Sequence, residues 1–139
     1  ASKHAGNYCV TASIDYVDFL QPVDVGELVS LKASVNYVGN SSLVVGIRIT
    51  SENVKTKAIK HTNTSYFTMV ALDEGHKKAQ VPGLILETEE ELRRFVEALH
   101  RKELKKQNKE SIQQIKSREE MEKYIIQLHA ERCIIKAKL

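Results

Sequence analysis

Residues 9–45 read CVTASIDYVDFLQPVDVGELVSLKASVNYVGNSSLVV, and this stretch decides the fold. Within it, Val29, Leu31, Ala33, Val35 and Tyr37 fall on one side of an extended chain, and Ser30, Lys32, Ser34 and Asn36 on the other. A period of two with one polar side is the pattern of a half-buried antiparallel strand. Gly39-Asn40-Ser41 then turns the chain, because Gly and Asn accept positive φ at small cost. Past the turn, Leu43, Val45, Ile47 and Ile49 alternate with Ser42, Gly46, Arg48 and Thr50. The two patterns predict a hairpin over residues 28–53.

The flanks extend the sheet. In residues 8–19 the apolar set begins as Val10, Ala12, Ile14 and Tyr16, then shifts to Val17 and Phe19. A phase change inside one strand predicts a bulge or bend. Residues 59–72 end as Tyr66-Phe67-Thr68-Met69-Val70-Ala71-Leu72, apolar on both sides, which suits a central strand. Ala1–Ala5 has the length of one helical turn, with Gly6 placed to cap it.

The chain changes character near Pro82-Gly83. Residues 1–83 are strand-like; residues 84–139 are dense in Glu, Lys, Arg and Gln and hold no Gly or Pro. We read 1–83 as a sheet domain and 84–139 as a helical extension. Thr88-Glu89-Glu90-Glu91 is a capping box, followed by Leu92, Phe95, Val96 and Leu99 at helical spacing. This predicts a helix over 88–106 packed through that stripe. A second capping box, Ser117–Glu120, and the apolar positions Met121, Ile125 and Leu128 predict another helix over 118–136. The heptad pattern is too short for a long coiled coil. A sheet followed by helices is an α+β arrangement.

Composition narrows the classes. The 139 residues carry a net charge of +3 and interleave both signs, which argues against a nucleic-acid partner. No run approaches the ~20 apolar residues of a membrane span, and no signal-peptide pattern opens the sequence. Cys9 and Cys133 lie far apart, so the expected setting is a reducing cytoplasm without a disulfide framework. His4, His61, His76, His100 and His129 lack metal-ligand spacing, and no metal is expected.

In order along the chain, Val10-Thr11-Ala12-Ser13-Ile14-Asp15, Phe19-Leu20-Gln21-Pro22-Val23, Val25-Gly26-Glu27, Val38-Gly39-Asn40-Ser41-Ser42, Ser51-Glu52-Asn53 and Thr62-Asn63 stand at consistent spacing. Tyr66–Leu72, Val81-Pro82, Glu87–Glu91 and Arg93-Arg94-Phe95 complete the set. This ordered set resembles the hotdog-fold acyl-CoA thioesterases (acyl-CoA hydrolases). Residues 107–139 match no pattern of that family.

The resemblance implies a curved antiparallel sheet wrapping a long helix, protomers paired with their sheets continuous, and a dimer or trimer of dimers with active sites between protomers. It also implies that the helix carrying the family's catalytic Asp, and the Gly-rich loop before it, align ahead of Ala1, with Ala1–Ala5 matching only that helix's last turn. One small departure is Thr56-Lys57, where the family often has Gly after the Thr; it is expected to reshape a surface loop.

Thioester hydrolysis needs a group that brings water to the carbonyl and donors for the oxyanion. By resemblance, Thr11 lines the cleft, where its hydroxyl would hold the water or the acid; β-propensity alone also accounts for a Thr there. The turn Asn40, Ser41 and Ser42 would lie near the CoA nucleotide, although hairpin chemistry also explains it. Asp15 and Asp18 are weaker candidates as replacement acids, a solvated or turn-bonded carboxylate being the usual explanation. Lys32, Arg48, Lys60, Lys77 and Lys78 are the cations available to phosphates, with no assignment among them. Cys9, without a paired His, reads as a small buried residue.

The leading expectation is a cofactor-free hydrolase that cleaves acyl-CoA to fatty acid and CoA as a homo-oligomer. The alternatives are a non-catalytic hotdog module for acyl-CoA binding or oligomerisation, and an α+β protein sharing only ancestry. One structural expectation also follows. The apolar face of the sheet needs a cover: residues before Ala1, a partner chain, or the C-terminal helices.

Overall fold

The computed structural model describes residues 1–114, 123–124 and 132, with Tyr16 and Gln114 described in backbone only. The chain forms two compact units, Ala1–Leu99 and His100–Leu139. The first holds a helical turn α1 (Ser2–Ala5) and strands β1 (Tyr8–Phe19), β2 (Glu27–Val38), β3 (Ser42–Asn53) and β4 (Ile59–Leu72). It also holds the start of helix α2 (Glu89–Gln114), which continues into the second unit. The strands make one antiparallel sheet in the order β1-β4-β3-β2. The hairpin at 28–53, the strand at 59–72 and its central position are as the alternation predicts. Gly6 caps α1 at φ 68, in the left-handed region.

The pairing register is more broken than the sequence pattern suggests. β1 shifts against β4 twice, between Thr11 and Ser13 and between Ile14 and Tyr16. As a result Cys9, Thr11, Ile14, Val17 and Phe19 face the alternate β4 residues 71, 69, 67, 65 and 63, and share one side of the sheet. Val10 lies on the other side, so the expected grouping of Val10 with Ile14 does not hold. A third shift, between Val35 and Tyr37, moves Tyr37 opposite Val44 and off the side occupied by Val35. Tyr37 instead meets Phe95 of α2, with ring centroids 5.1 Å apart and planes at 50°. The tilted geometry is one that aromatic quadrupoles favour.

The β2–β3 turn also differs in detail. Neither Gly39 nor Asn40 has positive φ. The turn is closed by the Gly39 N–H donating to Ser42 O at 2.7 Å, and it is tied inward by Ala71 N to Ser41 O and Val81 N to Asn40 O. Left-handed backbone occurs instead at Lys57 (φ 61), in the β3–β4 loop. There Asn53 Oδ1 accepts the N–H groups of Lys55 and Thr56, and Asn53 O accepts that of Lys57.

The core sits at one end of the sheet, where Ala5 packs with Cys9, Leu43, Val45, Ala71 and Val81. Cys9 is a buried free thiol, as its isolation from any His suggested. Further along the same side the sheet is open: Ile14, Phe19 and Leu31 are 56%, 79% and 64% exposed. Among the described residues of this unit no cover lies over that half. The third expected cover, the helix at 118–136 with its capping box, falls outside the described residues, as does Cys133.

The capping box of α2 forms as read. Thr88 Oγ1 accepts the Glu91 N–H at 3.2 Å, and Glu91 Oε2 accepts those of Thr88 and Glu87 at 3.0 and 2.9 Å. These backbone donors hold the Glu91 carboxyl below its ordinary pKa. The helix then outruns its expected end at 106 and reaches Gln114. Lys, Glu and Gln are strong helix formers, and no Gly or Pro interrupts them. Of the expected packing stripe only Phe95 turns toward the sheet, where it meets Tyr37. Leu92, Val96 and Leu99 are exposed, while Ala98 is buried and Phe95 half-buried. No helix among the described residues is long and apolar enough to cross a membrane.

Candidate functional site

Thr11 lies on β1 opposite Met69, and its exposed hydroxyl has a thioether as partner, Oγ1 to Sδ 3.4 Å. A thioether is a weak acceptor, so the hydroxyl is available to a better one. Met69 in turn faces Leu43 on β3. Thr11 and the end of the Asn40–Ser42 turn therefore share one end of the sheet, two strand spacings or about 10 Å apart. They do not share a side. Leu43 lies in the Thr11 row, so alternation sends Ser42 to the opposite side. Asn40 is exposed; Ser41 and Ser42 are half-buried.

Asp15 occupies the second β1 shift, half-buried, where Ser13 Oγ donates to Oδ1 at 3.1 Å and Thr68 Oγ1 to Oδ2 at 3.4 Å. It is a carboxylate of the strand bulge, bonded by hydroxyls rather than held in a turn. Asp18 is exposed, in register with Thr64.

The opposite side of the sheet carries a cavity of about 590 Å³. The first turns of α2 form one wall, with Glu90, Arg93, Arg94 and Glu97. Arg93 binds Glu90 (2.7 Å) and Glu97, and Arg94 binds Glu90 (3.0 Å). The Arg93 hydrogen bond, first of all, holds the Glu90 carboxyl below its ordinary pKa. The strand wall carries Lys32, Arg48 and His61. Lys32 and Arg48 are direct cross-strand partners. His61 Nε2 lies 3.0 Å from Asn63 O and 2.9 Å from Thr64 Oγ1.

Asn36 and Gly46 complete the cavity floor. Asn36 is 5% exposed, and its Oδ1 accepts the Ser34 hydroxyl at 2.8 Å. A Cβ at position 46 would collide with Asn36 Nδ2 and press on Tyr66. The sequence pattern does not reveal this cavity. It offers Lys32 and Arg48 as cations without pairing them, because the pairing depends on the shift at Asn36. Counted back from Val38 and Leu43 without that shift, Lys32 would face Ile49.

At the far end of the sheet, Lys60 binds Glu27 (3.0 Å) and Asp24 (3.3 Å). The Lys60 hydrogen bond lowers the Glu27 pKa, and Glu27 raises that of Lys60. This network ties the start of β2 to β4 and leaves Lys60 engaged within the protein.

A thioesterase superfamily model matches residues 1–58. Protein VdlD of Helicobacter pylori is 46% identical over 105 residues, 76% of this chain and 60% of that protein. Among solved structures, an apo hexameric acyl-CoA thioesterase superposes with a TM-score of 0.74 at 41% identity, over 77% of this chain and 69% of that one. An acyl-CoA hydrolase from Staphylococcus aureus, solved with butyryl coenzyme A and coenzyme A, gives 0.72 at 39% identity, over 82% and 70%. The chain spans about three fifths of the length of VdlD.

Proposed function

The chain belongs to the hotdog-fold acyl-CoA thioesterase family, and from that premise we propose that the protein hydrolyses acyl-CoA thioesters to free fatty acid and CoA. Similarity in sequence as well as in fold to solved acyl-CoA hydrolases is the observation that carries this reading, because fold alone would not specify the chemistry. In the reaction a water oxygen adds to the thioester carbonyl, the C–S bond breaks, and the CoA thiolate takes up a proton. No cofactor is required beyond the CoA that the substrate brings.

Thr11 is the residue of this chain proposed to support the attack. Its hydroxyl is exposed and held only by a thioether, so it can orient a water or a carboxylate at the cleft. By resemblance, a principal acid on a helix aligning ahead of Ala1 would act with Thr11. Asn40, Ser41 and Ser42 are proposed to meet the nucleotide end of CoA. The turn is pinned through its carbonyls, which leaves its side-chain hydroxyls and amide for a ligand.

A working homo-oligomer, a dimer or trimer of dimers, is consistent with the open apolar side of the sheet, since such a surface marks an interaction site. A free, buried Cys9 accords with the reducing cytoplasm. Incubating the full-length protein with acyl-CoAs of graded chain length and following thiol release tests the reading. Turnover of at least one acyl-CoA is expected; no thiol release from any of them would overturn it.

A further inference from the structure

We propose that Lys32 and Arg48 form a binding subsite for a phosphate-bearing anion in the cavity between the sheet and the start of α2. Three observations converge on it. Lys32 and Arg48 are directly opposed in the β2–β3 register. Like charges placed so destabilise a hairpin, so the pair is a cost to the fold unless an anion completes it. Neither side chain has a carboxylate partner among the described residues, whereas the helix cations of the same cavity do: Arg93 and Arg94 are held by Glu90 and Glu97.

The surroundings suit a ligand rather than a bare surface. The cavity is about 590 Å³, within the range of small-molecule sites. Gly46, two residues along β3 from Arg48, brings no side chain into the space, and the buried Asn36 side chain lies against it. The two carboxylates of the cavity, Glu90 and Glu97, are each paired with an arginine, so the helix wall presents no unbalanced negative charge to an incoming anion. Two adjacent cations, one of them a guanidinium able to donate two parallel hydrogen bonds, fit a dianionic phosphate better than a single carboxylate.

The site stands apart from Thr11, which lies on the other side of the sheet, and it is independent of the hydrolytic reading. The phosphate has two possible sources, the substrate's own CoA moiety or a separate phosphate compound. Calorimetric titration of the full-length protein with inorganic pyrophosphate at low ionic strength tests the site. Binding is expected in the wild type, weakened about tenfold or more in both Lys32→Glu and Arg48→Gln.

Lys32→Glu adds a readout that a purely structural role would not produce. It converts the repelling pair into an attracting one, so its melting temperature rises while pyrophosphate binding falls. Coenzyme A titrations then separate the sources. If Lys32→Glu weakens CoA binding as well, the subsite serves the substrate; if CoA binding holds while pyrophosphate binding falls, it serves a separate ligand. Either result supports the site. No pyrophosphate binding by the wild type, or unchanged affinity in both variants, overturns it, whatever the outcome of the hydrolysis assay.

Discussion

Asn36 occupies the space that a side chain at position 46 would need. Its amide sits against Gly46 across the β2–β3 pair, 5% exposed, with its Oδ1 bonded to Ser34. Gly46→Ala forces the Asn36 amide away and strains Tyr66, an overpacking that costs about 1–3 kcal/mol. Chemical denaturation is expected to show a lower midpoint with an unchanged slope. Stability equal to wild type would mean that Asn36 moves aside freely.

Lys57 carries φ 61, a conformation that costs an L-residue roughly 1–2 kcal/mol. The exposed Lys57–Glu52 pair at 3.5 Å returns little of this. Lys57→Gly relieves the strain but loosens the unfolded chain, for a net gain of about 0.5–1 kcal/mol. A higher urea midpoint is the expected result, and a lower one would place the loop's stability in the ion pair.

Removing the Thr88 hydroxyl leaves the Glu91 N–H without its cap. Thr88→Ala is expected to cost about 1 kcal/mol, read as faster amide exchange in the first turn of α2. Thr88→Ser should restore protection. If both variants exchange alike, the cap is not what holds the helix start.

Glu27 has its pKa lowered chiefly by Lys60, so the stability it contributes is present above the ordinary Glu value of about 4.3. It is lost as the pH falls through the lowered folded value. Lys60, raised chiefly by Glu27, contributes below its ordinary value of about 10.4 and loses that contribution as the pH rises through the raised one. Denaturation across acid pH should therefore show a smaller loss for Glu27→Gln than for wild type. Parallel curves would remove Glu27 from the account of acid sensitivity.

Thr11→Ala tests the supporting role on β1. The exposed hydroxyl contributes little to folding, so stability should stay within about 0.5 kcal/mol. With the full-length protein, kcat is expected to fall on the order of tenfold or more with KM little changed. An unchanged kcat would return Thr11 to its plain role as a strand former.

The strands, the hairpin and the capping box were legible because each depends on local pattern: alternation for Leu43 to Ile49, and one hydroxyl and one carboxylate at fixed spacing for Thr88 and Glu91. The phase break in β1 was legible as a bulge, but not as two. The shift at Asn36 was hidden, since a single extra residue leaves the alternation of Val29 to Val35 intact and alters only what it faces. Everything that depends on facing was lost with it: the side taken by Tyr37, the Lys32–Arg48 pair and the cavity. The helix face was legible only in part. A stripe of Leu92, Phe95, Val96 and Leu99 states where apolar groups lie, but of these only Phe95 meets the sheet, at Tyr37, and the buried position beside it is Ala98.

Every pairing in this sheet carries at least one register shift. Pairing errors in sheets arise when one strand slides along another and finds an acceptable second alignment. Here a strand that slides to satisfy the residues on one side of a shift misaligns those on the other, and β3 and β4 must satisfy two neighbours at once. The interruptions thus work as a combination lock on assembly. They leave few near-native alignments in which a folding chain can be trapped.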